Sequence, residues 1–254
     1  MRLSIVIIAK NEAQNIKACL DAWQFAHERI VVDGGSNDGT AEMARNCGAK
    51  VLLFEDWQGF GVQKNRALDA ASGDWVMSVD ADERPTAALV EEVRHAVYTN
   101  EACVYSVPRL TLFCGQWIKH CGWVPDRVVR LFTRGQALFS NDLVHERLLH
   151  AGLPVRDLRC SLLHYSYPST AQYWHKLQSY SQAWARDRFA RGQRTSMARA
   201  AASGLFAFVR GYILRLGFLD GAMGFAVCAM QAQAAFGKYF ELYCLQNESG
   251  FNGE

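Results

Sequence analysis

Four apolar runs recur through the first eighty residues, and the stretches between them repeat apolar side chains at helical spacing. The runs are Leu3-Ser-Ile-Val-Ile-Ile-Ala9, Arg29-Ile-Val-Val-Asp33, Lys50-Val-Leu-Leu-Phe54 and Trp75-Val-Met-Ser-Val79. Short, β-branched runs of this kind suit strands covered on both faces. Residues 12–25, 40–47 (stopped by Gly48) and 61–71 (stopped near Gly73) read as the intervening helices. Strand and helix in alternation predict a Rossmann-like, mostly parallel, doubly wound α/β sheet. Ligands of such sheets bind beyond the carboxyl ends of the strands, where Asp33, Asp80 and Asp82 fall.

After an amphipathic helix at 86–98, residues 103–165 turn strand-and-loop in character, and from 169 onward the pattern is helical. The expected organisation is one domain over 1–168, in two halves at 1–100 and 101–168, followed by a helical region at 169–254. At 254 residues the chain is long enough to build a proper core without disulfides. Its eight cysteines show no C-x-x-C pairing, so reduced thiols are expected in place of a disulfide scaffold or a structural zinc site. The first run is too short for a signal peptide or a span, so the chain is expected to start in the cytoplasm.

Chemistry is concentrated in Asp80-Ala81-Asp82. Two carboxylates two residues apart on a turn at a strand end can direct oxygens onto one divalent cation. Such a cation, Mg²⁺ or Mn²⁺, stabilises the charge that develops when a sugar leaves a diphosphate. The same residues also suit a solvated turn that caps the next helix. Asp33 precedes Gly34-Gly35-Ser36-Asn37-Asp38-Gly39, where glycines let a ligand approach the backbone and a carboxylate can accept from a base N–H or a ribose hydroxyl. An ordinary βα turn would need nothing more than these residues.

Taken in order, Ser4-Ile-Val-Ile-Ile-Ala-Lys-Asn-Glu12, Val32-Asp-Gly-Gly-Ser-Asn-Asp-Gly-Thr40, Lys64-Asn65 and Ser78-Val-Asp-Ala-Asp-Glu83 resemble the successive motifs of family 2 glycosyltransferases. The resemblance implies a GT-A fold, a nucleotide-sugar donor and inversion at the anomeric carbon. It implies that Ala9, Asn11 and Glu12 line the nucleotide pocket and that Asp33 contacts uracil. Asp80 would lie near the ribose or metal, with Asp82 as the direct ligand. Later segments, Val124-Pro-Asp-Arg-Val-Val-Arg-Leu-Phe132, Val144-His-Glu-Arg147, Leu163-His-Tyr-Ser166 and Gly211-Tyr-Ile-Leu-Arg-Leu-Gly-Phe-Leu-Asp-Gly221, resemble bacterial lipopolysaccharide inner-core glucosyltransferases, which place β-glucose on a heptose. The implied donor is UDP-glucose and the implied acceptor a lipopolysaccharide core heptose.

Inversion needs one base on the face opposite the diphosphate. The resemblance makes 1–100 the nucleotide-sugar half and 101–168 the acceptor half, and implies Glu146 as that base. The family's acidic dipeptide is here His145-Glu146, which leaves His145 as rival or orienting partner; a strand on which Glu146 merely pairs with Arg147 is the alternative. His164 is a candidate third metal ligand or a structural histidine. Arg127 and Arg130, read as pointing the same way along a strand, are candidates for holding phosphates, and Lys64 for touching the diphosphate.

Seven arginines against one acid, Asp187, fall between 186 and 215, which suits a surface attracted to anionic lipid or a solvated helical face. Residues 222–237 carry no charge but are fewer than the roughly 20 apolar residues of a spanning helix. Peripheral attachment to the cytoplasmic face of the inner membrane is therefore expected. No reader motif accompanies the charge, so nucleic acid is not an expected partner. A dehydrogenase would need G-x-G-x-x-G after the first strand, where this chain has Ala9-Lys-Asn-Glu12. A nucleotidyltransferase would need a glycine- and arginine-containing loop there. Two alternatives remain: a family 2 glycosyltransferase acting on another lipid-linked glycan, and a silent sugar-nucleotide or membrane-binding module.

Overall fold

The structure, a computed structural model, describes residues 1–140 and 147–251. It divides into two compact units: Met1–Arg109 with Asp126–Tyr165, and Leu110–Pro125 with Ser166–Glu254.

In the first unit, β1 (Leu3–Ala9), β2 (Glu28–Asp33), β3 (Lys50–Leu53) and β4 (Trp75–Asp80) form a parallel array in the order β3-β2-β1-β4. Helices α1 (Ile16–Ala22), α2 (Thr40–Asn46) and α3 (Phe60–Asp69) supply the crossovers that parallel pairing demands. The apolar runs are buried as expected: Ile5, Ile7, Ile30, Trp75 and Met77 are wholly covered. Gly48 ends α2 at φ 78°, a conformation that favours glycine, and its N–H donates to the Arg45 carbonyl.

Beyond β4 the pairing changes. β5 (Glu83–Pro85) and α4 (Ala87–Thr99) are followed by β6 (Val104–Phe113), β7 (Gln116–Ile118), β8 (Asp126–Thr133), the short β9 (Leu138–Phe139) and β10 (Leu148–Leu149), then β11 (Val155–Asp157) and β12 (Leu162–Tyr167). The sheet continues β4-β8-β6-β12-β5, with β4–β8, β8–β6 and β12–β5 antiparallel. Among the described residues no helix lies between β6 and β12 to act as a crossover, so strands there pair mainly with reversed direction. The expected α/β class holds, with the doubly wound parallel part confined to the first half of a mixed sheet.

The second unit joins β7 and the end of β6 to a helical C-terminal region, as expected from 169 onward: α5 (Thr170–Ala190), α6 (Met197–Val209) and α7 (Gly221–Phe251). Ser169 and Ser196 cap α5 and α6 through hydroxyls that accept from the N–H groups of Gln172 and Arg199. Phe113, Ile118, Cys121, Tyr173, Val227 and Cys228 form its core, with the Phe113 and Tyr173 rings edge-to-face at 5.3 Å. All eight cysteines are free thiols.

Candidate functional site

The loops after β1 and β2 are laced together by their own polar side chains. Asn11, at φ 58°, receives the Asn37 N–H on its side-chain oxygen at 3.0 Å and donates its own N–H to Ser36 Oγ at 2.8 Å. The Glu12 N–H donates to Thr40 Oγ1 and the Ala13 N–H to Asp38 Oδ2. Asp33 ends β2 almost wholly buried, with Oδ1 accepting from the N–H groups of Gly35 (3.0 Å) and Ser36 (2.8 Å). Its other oxygen, Oδ2, is buried and accepts nothing from the described residues. A buried acceptor left unmatched costs about 1–3 kcal/mol, which makes this oxygen a candidate contact for a ligand's donor. The Gly34 N–H donates to the Ala9 carbonyl, and a Cβ on Gly34 would lie 3.0 Å from the Trp57 ring. A side chain at Gly34 would push that indole back by a few tenths of an ångström.

Asp80 ends β4 inside a charge cluster. Arg130 donates to Asp80 Oδ2 at 2.5 Å and to Glu83 Oε1 at 2.6 Å, while Lys64 Nζ stands 3.5 Å from Asp80 Oδ1. Glu83 is wholly buried; its Oε2 accepts the Asp80 N–H at 2.9 Å and its Oε1 also faces Arg109 at 3.3 Å. Burial works against the Asp80 charge, but Arg130 and Lys64 outweigh it and hold the carboxyl far below the usual carboxylate range. Asp80 is thus a fixed anion with its charge already matched.

Asp82 is differently placed. The β5–β12 pairing sets His164 opposite Glu83, and the Tyr165 N–H donates to the Asp82 carbonyl at 2.8 Å. His164 Nε2 consequently stands 3.3 Å from Asp82 Oδ2, both side chains partly open to solvent. Two ligands at right angles on one ion, with bonds of about 2.1 Å, would be about 3 Å apart. The same distance suits a direct contact between the two side chains; as a donor set, one carboxylate oxygen and one imidazole nitrogen would suit Mn²⁺ better than the oxygen-seeking Mg²⁺. Among the described residues no group of three or more His, Cys, Asp or Glu side chains gathers as a metal cage.

The family model for glycosyl transferase family 2 matches residues 4–143, more than half of the chain. The chain belongs to glycosyl transferase family 2. An uncharacterized glycosyltransferase of Rickettsia prowazekii is 27% identical over 247 residues, covering 92% of this chain and 84% of the relative. The lipopolysaccharide core biosynthesis glycosyltransferase LpsC of Rhizobium meliloti is 30% identical over 174 residues, covering 64% of this chain and 63% of LpsC. Among solved structures, glucosyl-3-phosphoglycerate synthase of Mycobacterium tuberculosis, crystallised with Mn²⁺, UDP and glucosyl-3-phosphoglycerate, is 29% identical over 44% of each chain. The chain thus spans less than half of that structure, and the likeness, at a TM-score of 0.38, is a loose one.

For this family 2 chain, one side of the sheet edge brings together Ala9, Asn11, Glu12 and Asp33 on the first two loops. A second group joins Lys64, Asp80 and Arg130, and a third joins Asp82 and His164. Arg127 stands apart from Arg130, contrary to the expectation that the two face the same way. Its guanidinium donates to Ser106 Oγ at 3.2 Å and to the Leu158 carbonyl at 3.0 Å. Side chains alternate along a strand, so residues three apart leave opposite faces, and a register shift at Tyr105/Ser106 adds a local irregularity. Arg130 holds two carboxylates and is only 4% exposed, which accounts for its charge without a phosphate. The candidate bases Glu146 and His145 lie outside the described residues. Glu83 and Arg109 escaped sequence reading: nothing in Asp82-Glu83 distinguishes a buried acid from an exposed one, and Arg109 lies 26 positions away from it.

Proposed function

We propose that this chain transfers a sugar from a uridine diphosphate donor to a hydroxyl of a lipid-linked glycan, with inversion at the anomeric carbon. UDP-glucose is the proposed donor and a lipopolysaccharide core heptose the proposed acceptor, presented at the cytoplasmic face of the inner membrane. The observation that carries the reading is the Asp82–His164 pair, which offers two donors at metal-ligand spacing beside an Asp80 whose charge is already matched. The relationship to LpsC supports the acceptor class.

In this reading Asp33 Oδ2 accepts the uracil N3–H, which matches the buried oxygen that lacks a donor. Asn11 and Glu12 hold the first loop against the second so that the Ala9 backbone edge stays open to the nucleotide. Asp82 and His164 hold the divalent ion; when bound, that ion stabilises the negative charge of the departing diphosphate. Asp80, positioned by Arg130 and Lys64, accepts from a ribose hydroxyl. Arg130 thereby becomes a positioning residue and no longer a phosphate holder, and Arg127 is not assigned to the donor.

Glu146 takes the proton of the acceptor hydroxyl as its oxygen bonds to the anomeric carbon and the bond to the diphosphate breaks; His145 orients it. Glu146→Gln tests this directly. The variant should bind UDP as the native chain does and lose turnover by a hundredfold or more, within the roughly 10²–10⁴ that general base catalysis supplies. Product analysis by NMR should show only the β-linked sugar. An α-linked product, or full activity in Glu146→Gln, overturns the assignment of inversion or of the base.

A further inference from the structure

We infer that the elbow joining α6 to α7 is a docking element that seats the chain on the surface of an anionic phospholipid bilayer, its apolar tip entering the acyl region. α6 continues through a widened helical turn at Arg210–Leu214, the chain reverses at Leu216 (φ 54°), and a tight turn at Gly217–Asp220 leads into α7. Six large apolar side chains on and beside this elbow are open to solvent: Leu205 (68%), Phe206 (61%), Ile213 (54%), Leu214 (66%), Phe218 (47%) and Leu219 (58%). An exposed cluster of this kind marks a surface that meets another apolar phase.

The elbow is not a loose loop. A Cβ on Gly217 would lie 2.8 Å from Cys228 Sγ and 2.9 Å from the Gly211 carbonyl oxygen, and one on Gly224 would lie 1.9 Å from the Gly217 carbonyl oxygen. Glycines bring the backbones into contact at its base, and the bulky residues between them are left facing outward.

Charge selects the partner. Between 195 and 237 the chain carries three arginines, Arg199, Arg210 and Arg215, all exposed, and a single acid, Asp220. Asp220 is turned inward: it receives the N–H of His120 at 2.8 Å and of Lys119 at 3.2 Å, and His120 Nδ1 lies 2.9 Å from its other oxygen. The apolar tip is therefore rimmed by positive charge alone, which complements anionic headgroups. Arg210 and Arg215 also line, with Gln231, a cavity of about 270 Å³ that has room for a phosphate. Among the described residues no single helix is long and apolar enough to cross a membrane, and the two arms of the elbow are bent by 73°. That geometry fits a hairpin lying in the interface.

The inference deepens the acceptor side of the proposed function, because a chain held at the bilayer meets a lipid-linked acceptor in two dimensions. Its test contains neither donor nor acceptor, so its failure is distinct from failure of the transferase reading. The purified full chain is floated with phosphatidylglycerol-containing vesicles and with pure phosphatidylcholine vesicles. Expected is binding to the anionic vesicles, reduced about tenfold or more by Arg210→Glu with Arg215→Glu and by Leu214→Glu with Leu219→Glu. Leu214→Ser with Leu219→Ser serves if the charged pair fails to fold. Phe218→Trp should add tryptophan fluorescence quenched by brominated acyl chains. Equal binding by native and variant chains, no binding to either vesicle, or loss of a native dimer in the variants with vesicle binding unchanged would each overturn it.

Discussion

Arg130 binds two carboxylates at once. It donates to Asp80 and to the wholly buried Glu83, so Arg130→Met leaves two acids facing each other without their shared cation. Breaking such a buried arrangement by removing one partner costs about 3–5 kcal/mol. Urea denaturation should show that loss, and Glu83→Gln added to Arg130→Met should recover part of it. A loss below about 0.5 kcal/mol would mean that water replaces the guanidinium without penalty. The pH dependence has a definite sign. The Asp80 carboxyl is held below its unfolded value, so its contribution to stability is present above the ordinary carboxylate range and fades as pH falls toward its folded value. Native stability should therefore decline on acidification, and Arg130→Met should flatten that decline. At Asp33, replacement by Asn keeps an acceptor for the Gly35 and Ser36 N–H groups but turns Oδ2 into a donor. The fold should survive, whereas UDP affinity should fall by roughly ten- to hundredfold, the equivalent of about 1.5–3 kcal/mol for a lost charged hydrogen bond. Calorimetric titration with UDP reads this out.

At the level of elements, the contrast between two glycines of α7 separates packing from propensity. Gly224→Ala drives a methyl into the Gly217 carbonyl oxygen and should cost about 1–3 kcal/mol or more, whereas Gly237 has no heavy atom within 4 Å of its virtual Cβ. Gly237→Ala should be neutral or stabilise by up to about 1 kcal/mol, the helix-propensity difference. Paired denaturation curves check both, and equal effects would contradict the packing argument. The same scale explains what could be read from the sequence. The strands β1 to β4 and their acidic ends were legible because period, length and glycine stops all agree, as at Asp33, Gly48 and Asp80. The antiparallel half was not, because β8, β6 and β12 pair across dozens of residues and local pattern carries no partner information. The Arg127 and Arg130 expectation failed on strand alternation, which their spacing of three violates. His164 is a ligand candidate from the sequence, but its placement beside Asp82 follows from its register opposite Glu83 on β5, a long-range fact that no local pattern carries.

For the whole molecule, the first unit gathers the nucleotide and metal candidates at the strand ends of a sheet, while the second presents a charged and apolar helical surface. Family 2 membership accounts for the first, and the proposed bilayer contact belongs to the second. Salt should discriminate the two functions: UDP affinity held by a matched, partly buried cluster should change little between low and physiological ionic strength, whereas attraction of exposed arginines to anionic vesicles should weaken. Parallel titrations of UDP and of vesicles across salt test this, and equal sensitivity would contradict it.

The proposed reaction is metal-dependent transfer from a uridine diphosphate sugar. The most direct test measures UDP release from a panel of UDP-sugars with deacylated core oligosaccharide as acceptor, with Mg²⁺, Mn²⁺ or EDTA, for the native chain and Asp82→Ala. Expected is acceptor-dependent release with one sugar, UDP-glucose, lost in EDTA, restored by added metal, and absent in Asp82→Ala. Release that persists in both EDTA and Asp82→Ala, or a chain that binds no UDP under any of these conditions, would contradict it.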